Sequence, residues 1–268
     1  MRNINIMYFS PTGTTKKVVN GLAKILSNDK ETNIKYINFT MPDIREKSIT
    51  FGKKEILIIG IPVYAGRVPN ILLKYLDTIK GDDTIAIPIV VYGNRNYDDA
   101  LIELKNILVS GGFTVIAAAA FIGEHSFSKN LAKGRPDNKD MNKVYHFGHK
   151  LAEILHDVPS KHVKVPGQNP IRPYYQPKDK NGHSFDFKKI TPKTNENCID
   201  CKLCAEICPV GSINFDNVSK LIGICIKCCA CVKNCPTQAK FFDDENYIKH
   251  KIELEIKYSN RREPELFF

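Results

Sequence analysis

Eight of the nine cysteines in this 268-residue chain fall into one spacing used twice. The first run is Cys198-x2-Cys201-x2-Cys204-x3-Cys208, followed by Pro209. The second is Cys225-x2-Cys228-x2-Cys231-x3-Cys235, followed by Pro236, each member lying 27 residues after its counterpart. Three thiolates on one tight loop can cap three irons of a cubane, but the loop cannot wrap round to the fourth. The fourth ligand must therefore come from elsewhere. Zinc is the other use of CxxC pairs, but it needs only four ligands in two such pairs. A disulfide framework fits less well still. Iron–sulfur cubanes are the expected chemistry. Cys229, beside Cys228, is out of step with the spacing and reads as a non-ligand thiol.

A second candidate site opens the chain. Residues 3–9 are apolar enough for a buried strand and run into Ser10-Pro11-Thr12-Gly13-Thr14-Thr15. Beyond this loop Val18, Val19, Leu22, Ile25 and Leu26 share one helical face. A strand ending in a hydroxyl-rich loop that opens a helix is an anion site: backbone N–H groups and the helix dipole point at the anion, and short hydroxyls complete its shell. The loop lacks the Gly-Lys-Ser/Thr ending of a nucleotide triphosphatase, and no GxGxxG occurs in the chain. A neutral hydroxyl loop suits a monophosphate. The plainer alternative is helix capping by Thr14 or Ser10.

The elements that must position these sites follow from periodicity. Strand-like runs lie at 3–9, 32–39, 55–61, 84–92 and 113–122, with helical patterns at 14–27, 68–80, 97–110 and 138–156. Near-continuous apolar strands alternating with helices predict an α/β fold, a doubly wound five-stranded parallel sheet in order 2-1-3-4-5, whose ligand site lies outside the carboxyl ends of the strands. The expected domains are an α/β unit at 1–157, a proline-rich linker at 158–190, a small α+β cysteine unit at 191–242 and a helical extension at 243–268. Residues 158–192 carry six prolines and read as a semi-rigid spacer. The cysteine unit has so few apolar residues that its clusters must act as its core.

The formal charge of +10 counts every thiol as neutral. Eight thiolates and two cores of about +2 each contribute about −4, and a monophosphate in the hydroxyl loop about −2 more. A loaded protein near +4 by that estimate argues against nucleic-acid binding and fits docking of an acidic redox partner. No apolar stretch reaches the roughly 18 residues of a membrane span, and no signal peptide is evident. Thiolate clusters then imply a reducing cytoplasm, in an oxygen-poor cell.

The cysteine spacing resembles that of two-cluster bacterial ferredoxins. The resemblance implies two [4Fe-4S] clusters with crossed fourth ligands: Cys198, Cys201, Cys204 and Cys235 for one, and Cys225, Cys228, Cys231 and Cys208 for the other. The loop at Ser10, Thr12, Gly13, Thr14 and Thr15 resembles the phosphate loop of flavodoxins, which implies FMN. In that family FMN also meets the loops after strands three and four, here Gly60–Arg67, with Pro62, Tyr64, Ala65 and Gly66, and Tyr92–Tyr97, with Tyr92, Gly93 and Asn94. Tyr97 would be the stacking tyrosine, and Asn94 departs from the family's usual Asp or Cys. Over nearly its whole length the chain resembles the flavodoxin–ferredoxin fusion proteins of anaerobes.

Electron transfer between low-potential one-electron carriers, the clusters and FMN is the function these resemblances imply. A ferredoxin or oxidoreductase would be the partner, and a homodimer is an arrangement the connector permits. The alternatives are a flavin-dependent reductase fed by its own clusters, and an electron-wiring subunit of a larger complex. For a reductase, Glu124-His125 is the candidate acid–base pair, with Arg67 and Arg135 as candidate anion binders. His146 and His149, three apart on a helix, read as a solvated face.

Overall fold

The computed structural model describes residues 2–28, 32–159, 161–178, 182–183 and 187–268. Five strands, β1 (Arg2–Tyr8), β2 (Thr32–Asn38), β3 (Glu55–Pro62), β4 (Thr84–Tyr92) and β5 (Ala118–Ile122), pair in parallel in the order 2-1-3-4-5. This is the flavodoxin-like doubly wound order. Successive residues of a strand face opposite sides, so a strand covered on both faces must be apolar throughout. Met7, Leu57, Ile59 and Val90 pack on one side with α2 (Asn70–Leu76) and α3 (Ala100–Ser110). Ile4, Ile6, Ile58, Ile87 and Ile89 pack on the other with α1 (Thr14–Leu26) and α4 (Asn138–Ile154). Each such side chain contributes about 1.5–3 kcal/mol by burial. A reciprocal pair of bonds starts α4: Asp137 accepts from the Asp140 N–H at 3.1 Å, and Asp140 accepts from the Asp137 N–H at 2.9 Å.

Two features depart from the expected sheet. The fifth apolar run is not one strand: Phe113–Val115 pairs with the start of β4, and the chain then breaks at Ile116 and Ala117 before β5. The sheet also gains an antiparallel edge strand from the far end of the chain, described below.

The connector is strapped to the sheet domain. The Val163 N–H donates to the Val115 carbonyl at 2.8 Å, and Tyr175 N–H to the Ala65 carbonyl at 2.8 Å. Between them Asp99, whose side chain is fully buried, accepts from the backbone N–H groups of Gln168 and Arg172 and from the Arg172 guanidinium, at 2.5–3.0 Å. The Tyr174 hydroxyl donates to the Val68 carbonyl at 2.8 Å. The parts of the linker at 160, 179–181 and 184–186 lie outside the described residues.

In the cysteine unit regular structure is short. Lys193–Thr194 pairs antiparallel with Lys240–Phe241, and α5 (Leu203–Glu206) and α6 (Ala230–Lys233) are single turns. The tail forms α7 (Glu245–Lys257), capped by Asp244 at the N–H groups of Asn246 and Tyr247, both at 3.0 Å. It then returns to the sheet as β6 (Glu265–Phe267), antiparallel to β5. Three residues carry too little period for this strand to be read from sequence.

Candidate functional site

The two cysteine loops share a backbone. Asp200 and Lys202 hold φ of 53° and 62°, and their counterparts 27 residues on, Lys227 and Cys229, hold 54° and 60°. Gly211 and Gln238, likewise 27 apart, hold 59° and 56°. Left-handed residues are costly away from glycine, so their repetition marks one loop design folded twice. Each loop turns N–H groups inward: Ser212 donates to Cys208 Sγ at 3.3 Å, and its counterpart Ala239 donates to Cys235 Sγ at 3.2 Å.

Two cavities result. One is walled by Cys225, Cys228, Cys231 and Cys208; the other by Cys198, Cys201, Cys204 and Cys235. The fourth cysteine of each run thus lies in the wall completed by the other run. Burial pushes the Cys228 thiol well above its ordinary value and Cys231 up to about 12, with neighbouring thiols adding to both. Such groups stay protonated unless a strongly cationic body takes the proton's place, which a cluster core does. Cys229 also lies on the first wall, but its sulfur is 3.6 Å from the Tyr247 hydroxyl. Burial pushes that thiol up to about 12 as well.

At the sheet's carboxyl edge, Gly13 caps α1 with φ 84°, a left-handed turn that suits glycine. The Ser10 hydroxyl accepts from the Lys16 N–H at 3.0 Å, and Ser10 N–H donates to Thr40 Oγ1 at 2.9 Å. Thr12 is half-buried, and Thr14 packs on Gly123. Thr15 is 1% exposed, and its buried hydroxyl oxygen has no hydrogen-bond partner. A buried hydroxyl without a partner is costly, and an anion in the loop would satisfy it. The residues fit a phosphate.

After β3 the chain leaves through Pro62 into a tight turn. Tyr64 and Arg67 exchange backbone hydrogen bonds at 3.0 Å, with Ala65 and Gly66 at its left-handed tip. After β4, Tyr92 and Tyr97 pack with ring centroids 5.4 Å apart, and a side chain on Gly93 would strike the His125 ring. Asn94 is a clasp for the tail: its amide N–H groups donate to the carbonyls of Tyr258 at 2.6 Å and Asn260 at 2.9 Å, and its oxygen accepts from Arg135 and the Arg262 N–H, both at 3.2 Å. Tyr97 is 4% exposed and donates its hydroxyl to Glu265 at 2.7 Å. Strand β6 thus engages the hydroxyl end of Tyr97, whose ring packs on Tyr92. Tyr64 remains half-buried. Burial raises its hydroxyl pKa well above the ordinary value, and Cys228, Cys229 and Cys225 raise it further, which puts this turn beside the second cysteine loop.

The cysteine unit is docked on that edge. Arg45, held by the carbonyls of Phe39 and Thr40, donates to the Pro209 carbonyl at 2.5 Å. Lys233, inside the second cysteine run, pairs with Glu124 and donates to the Ser128 carbonyl at 2.6 Å. Sequence reading missed both residues, since a lone Arg or Lys carries no positional signal. These bonds also break the expected Glu124–His125 pair. His125 Nδ1 instead accepts from the Phe127 N–H at 3.1 Å, and burial holds the imidazole down at about 3, helped by His250, Lys233 and Arg95. Arg67 is committed to Glu103 and Arg135 to Asp140, so neither is a free anion binder. His146 and His149 are exposed.

Residues 192–214 match the family described as the 4Fe-4S binding domain. No curated protein matches the chain. Among solved structures it is similar to a flavodoxin from the domain Archaea, at 16% identity over 57% of this chain and 99% of that one, TM-score 0.41. It is similar to oxidised flavodoxin 1 from Bacillus cereus, at 18% identity over 59% of this chain and 99% of that one, TM-score 0.41. It is also similar to Fusobacterium nucleatum flavodoxin bound to flavin mononucleotide, at 19% identity over 57% of this chain and 98% of that one, TM-score 0.40. Strand order defines the class independently: a flavodoxin-like sheet joined in one chain to a 4Fe-4S-type segment. No helix among the described residues is long and apolar enough to cross a membrane.

Proposed function

We propose that the protein is an iron–sulfur flavoprotein that moves electrons between external one-electron carriers, two [4Fe-4S] clusters and FMN. The observation that carries this reading is the crossed wall of the two cavities, four cysteines in each. Cys198, Cys201, Cys204 and Cys235 would hold one cluster, and Cys225, Cys228, Cys231 and Cys208 the other. Ser10, Thr12, Gly13, Thr14 and Thr15 would hold the flavin phosphate, with Thr15 supplying its unsatisfied hydroxyl. The turn at Pro62, Tyr64, Ala65 and Gly66 would bound the ring on one side, and the loop from Tyr92 through Gly93 and Asn94, backed by Tyr97, on the other. When bound, the clusters supply one-electron steps and the flavin one- or two-electron steps.

Docking sets the route. The Cys225–Cys228 loop adjoins Tyr64, so its cavity is the one next to the flavin loops. Cys201, in the other cavity, is exposed. Electrons would enter at the Cys201 cavity, pass to the buried one and reach the flavin within one chain. Lys233 and Arg45 hold the two units together for this transfer.

Protein purified without oxygen should contain about eight irons per chain, four per cubane, with acid-labile sulfide and one FMN. On mixing with a reduced ferredoxin, cluster absorption should bleach before flavin absorption. Thr15→Ala should weaken FMN by roughly ten- to a hundredfold, the value of one hydrogen bond to a charged group. Stoichiometric zinc without sulfide, or retained FAD in place of FMN, would refute the reading.

A further inference from the structure

The 27-residue repeat lets the two cavities be compared position by position. Their walls correspond, and at two pairs of positions they differ in charge: Lys202 stands opposite Cys229 but is neutralised by Asp200 at 2.8 Å, and Lys240 stands opposite Ile213. The cavity of Cys208, Cys225, Cys228 and Cys231 has Ile213 in its wall; the counterpart in the other cavity is Lys240. Lys240 is 4% exposed. Its ammonium donates to the carbonyl of Val218, itself buried on the same wall. Among the described residues no carboxylate pairs with it.

An ammonium taken out of water costs several kcal/mol unless an anion compensates it. One carbonyl is a weak compensation. Four thiolates around a [4Fe-4S] core are net negative, and each electron accepted makes that body one charge more negative. A positive charge on the wall favours the reduced form, and the low dielectric of a buried site strengthens the effect.

We propose that Lys240 is the counter-charge of the cluster held by Cys198, Cys201, Cys204 and Cys235, and that it raises this cluster's reduction potential. The inference rests on the two-cluster reading above. Lys240 lines the cavity of Cys198, Cys201, Cys204 and Cys235 and is not among the residues of the other wall. Its effect therefore falls mainly on one cluster. The neighbouring Ala239 N–H donates to Cys235 Sγ at 3.2 Å. Substitution of the Lys240 side chain keeps that donor and tests the charge alone.

The test is an EPR-monitored redox titration of the full-length protein, with the signal altered or lost in Cys201→Ser assigned to the cluster beside Lys240. Lys240→Met removes the charge, Lys240→Gln removes it but keeps a donor for Val218, and Lys240→Arg retains it. Both neutral variants should shift the assigned midpoint negative by at least a tenfold change in electron partition between the clusters, about 59 mV for one electron. Lys240→Arg should stay near the parent. If the neutral variants lose that cluster's iron while Lys240→Arg keeps it, the charge is required for assembly and the proposal stands. Unmoved midpoints, equal shifts of both clusters, or iron loss in all three variants would overturn it. Parent protein without two cluster signals would instead refute the two-cluster reading.

Discussion

The sheet domain and the cysteine unit differ in what fills them. In the sheet domain Leu57, Ile58, Ile59 and Ile61 are fully buried in sequence, and two apolar clusters cover both faces. In the cysteine unit the buried cluster is Ile213 and Val218 with two thiols, Cys208 and Cys231. Ile199, Ile222 and Ile224 stand 65–78% exposed around it. A unit of about 50 residues with so little buried apolar surface cannot offset its conformational entropy by the hydrophobic effect alone. The sheet domain can. The two share one chain yet should answer differently to loss of metal.

Stripping the iron is the most forceful way to break this comparison. Metal binding that is coupled to folding contributes on the order of 10 kcal/mol in small metal-dependent domains. After chelation, amides in 192–242 should exchange rapidly with solvent while those of β1–β5 stay protected. Slow exchange throughout 192–242 in iron-free protein would mean that the unit has a sufficient core of its own.

A smaller effect tests the strap between the two units. Asp99 is fully buried and takes four hydrogen bonds from Gln168 and Arg172. Arg172 holds its carboxyl well below the usual carboxylate range, and the backbone N–H groups assist. Asp99→Ala should cost the sheet domain about 1.5–3 kcal/mol, the value of a hydrogen bond to a charged group, since Arg172 is itself partly exposed, and should open 163–178 to protease. Unchanged urea midpoint and cleavage would show that the connector is held elsewhere.

Legibility followed the same division. The parallel sheet was readable because strands buried on both faces need long apolar runs, as at Glu55–Pro62 and Thr84–Tyr92. The doubled cysteine spacing was readable because it is local to each loop, and the structure sets Cys208 in one wall with the second run. Contacts between distant segments left no local trace. Nothing near Asn94 or Tyr97 announces that Tyr258, Asn260 and Glu265 will bind them, and nothing near Asp99 announces Arg172. A proline-rich stretch looks the same in sequence whether it is free or strapped down. Lys240 was invisible for another reason: its meaning comes from comparison with Ile213, which requires knowing that both line equivalent walls.

The junction between the units offers the mildest test. His125 lies against Gly93 and edge-on to Phe127, whose ring also packs on Phe187 and Tyr247. Its folded pKa of about 3 lies below the ordinary 6.5, chiefly through burial. As pH falls through 6.5 the unfolded chain takes up a proton at this site and the folded chain does not, so stability declines with falling pH until about 3. The slope approaches about 1.4 kcal/mol per pH unit, which by about pH 5 amounts to ~1–2 kcal/mol. His125→Gln carries no such proton and should lose less stability than the parent between about pH 7.5 and 5, whatever its offset at the upper end. Parallel losses in both proteins, read as urea midpoints at the two pH values, would show that His125 is not held neutral and that the junction is wetter than its packing implies.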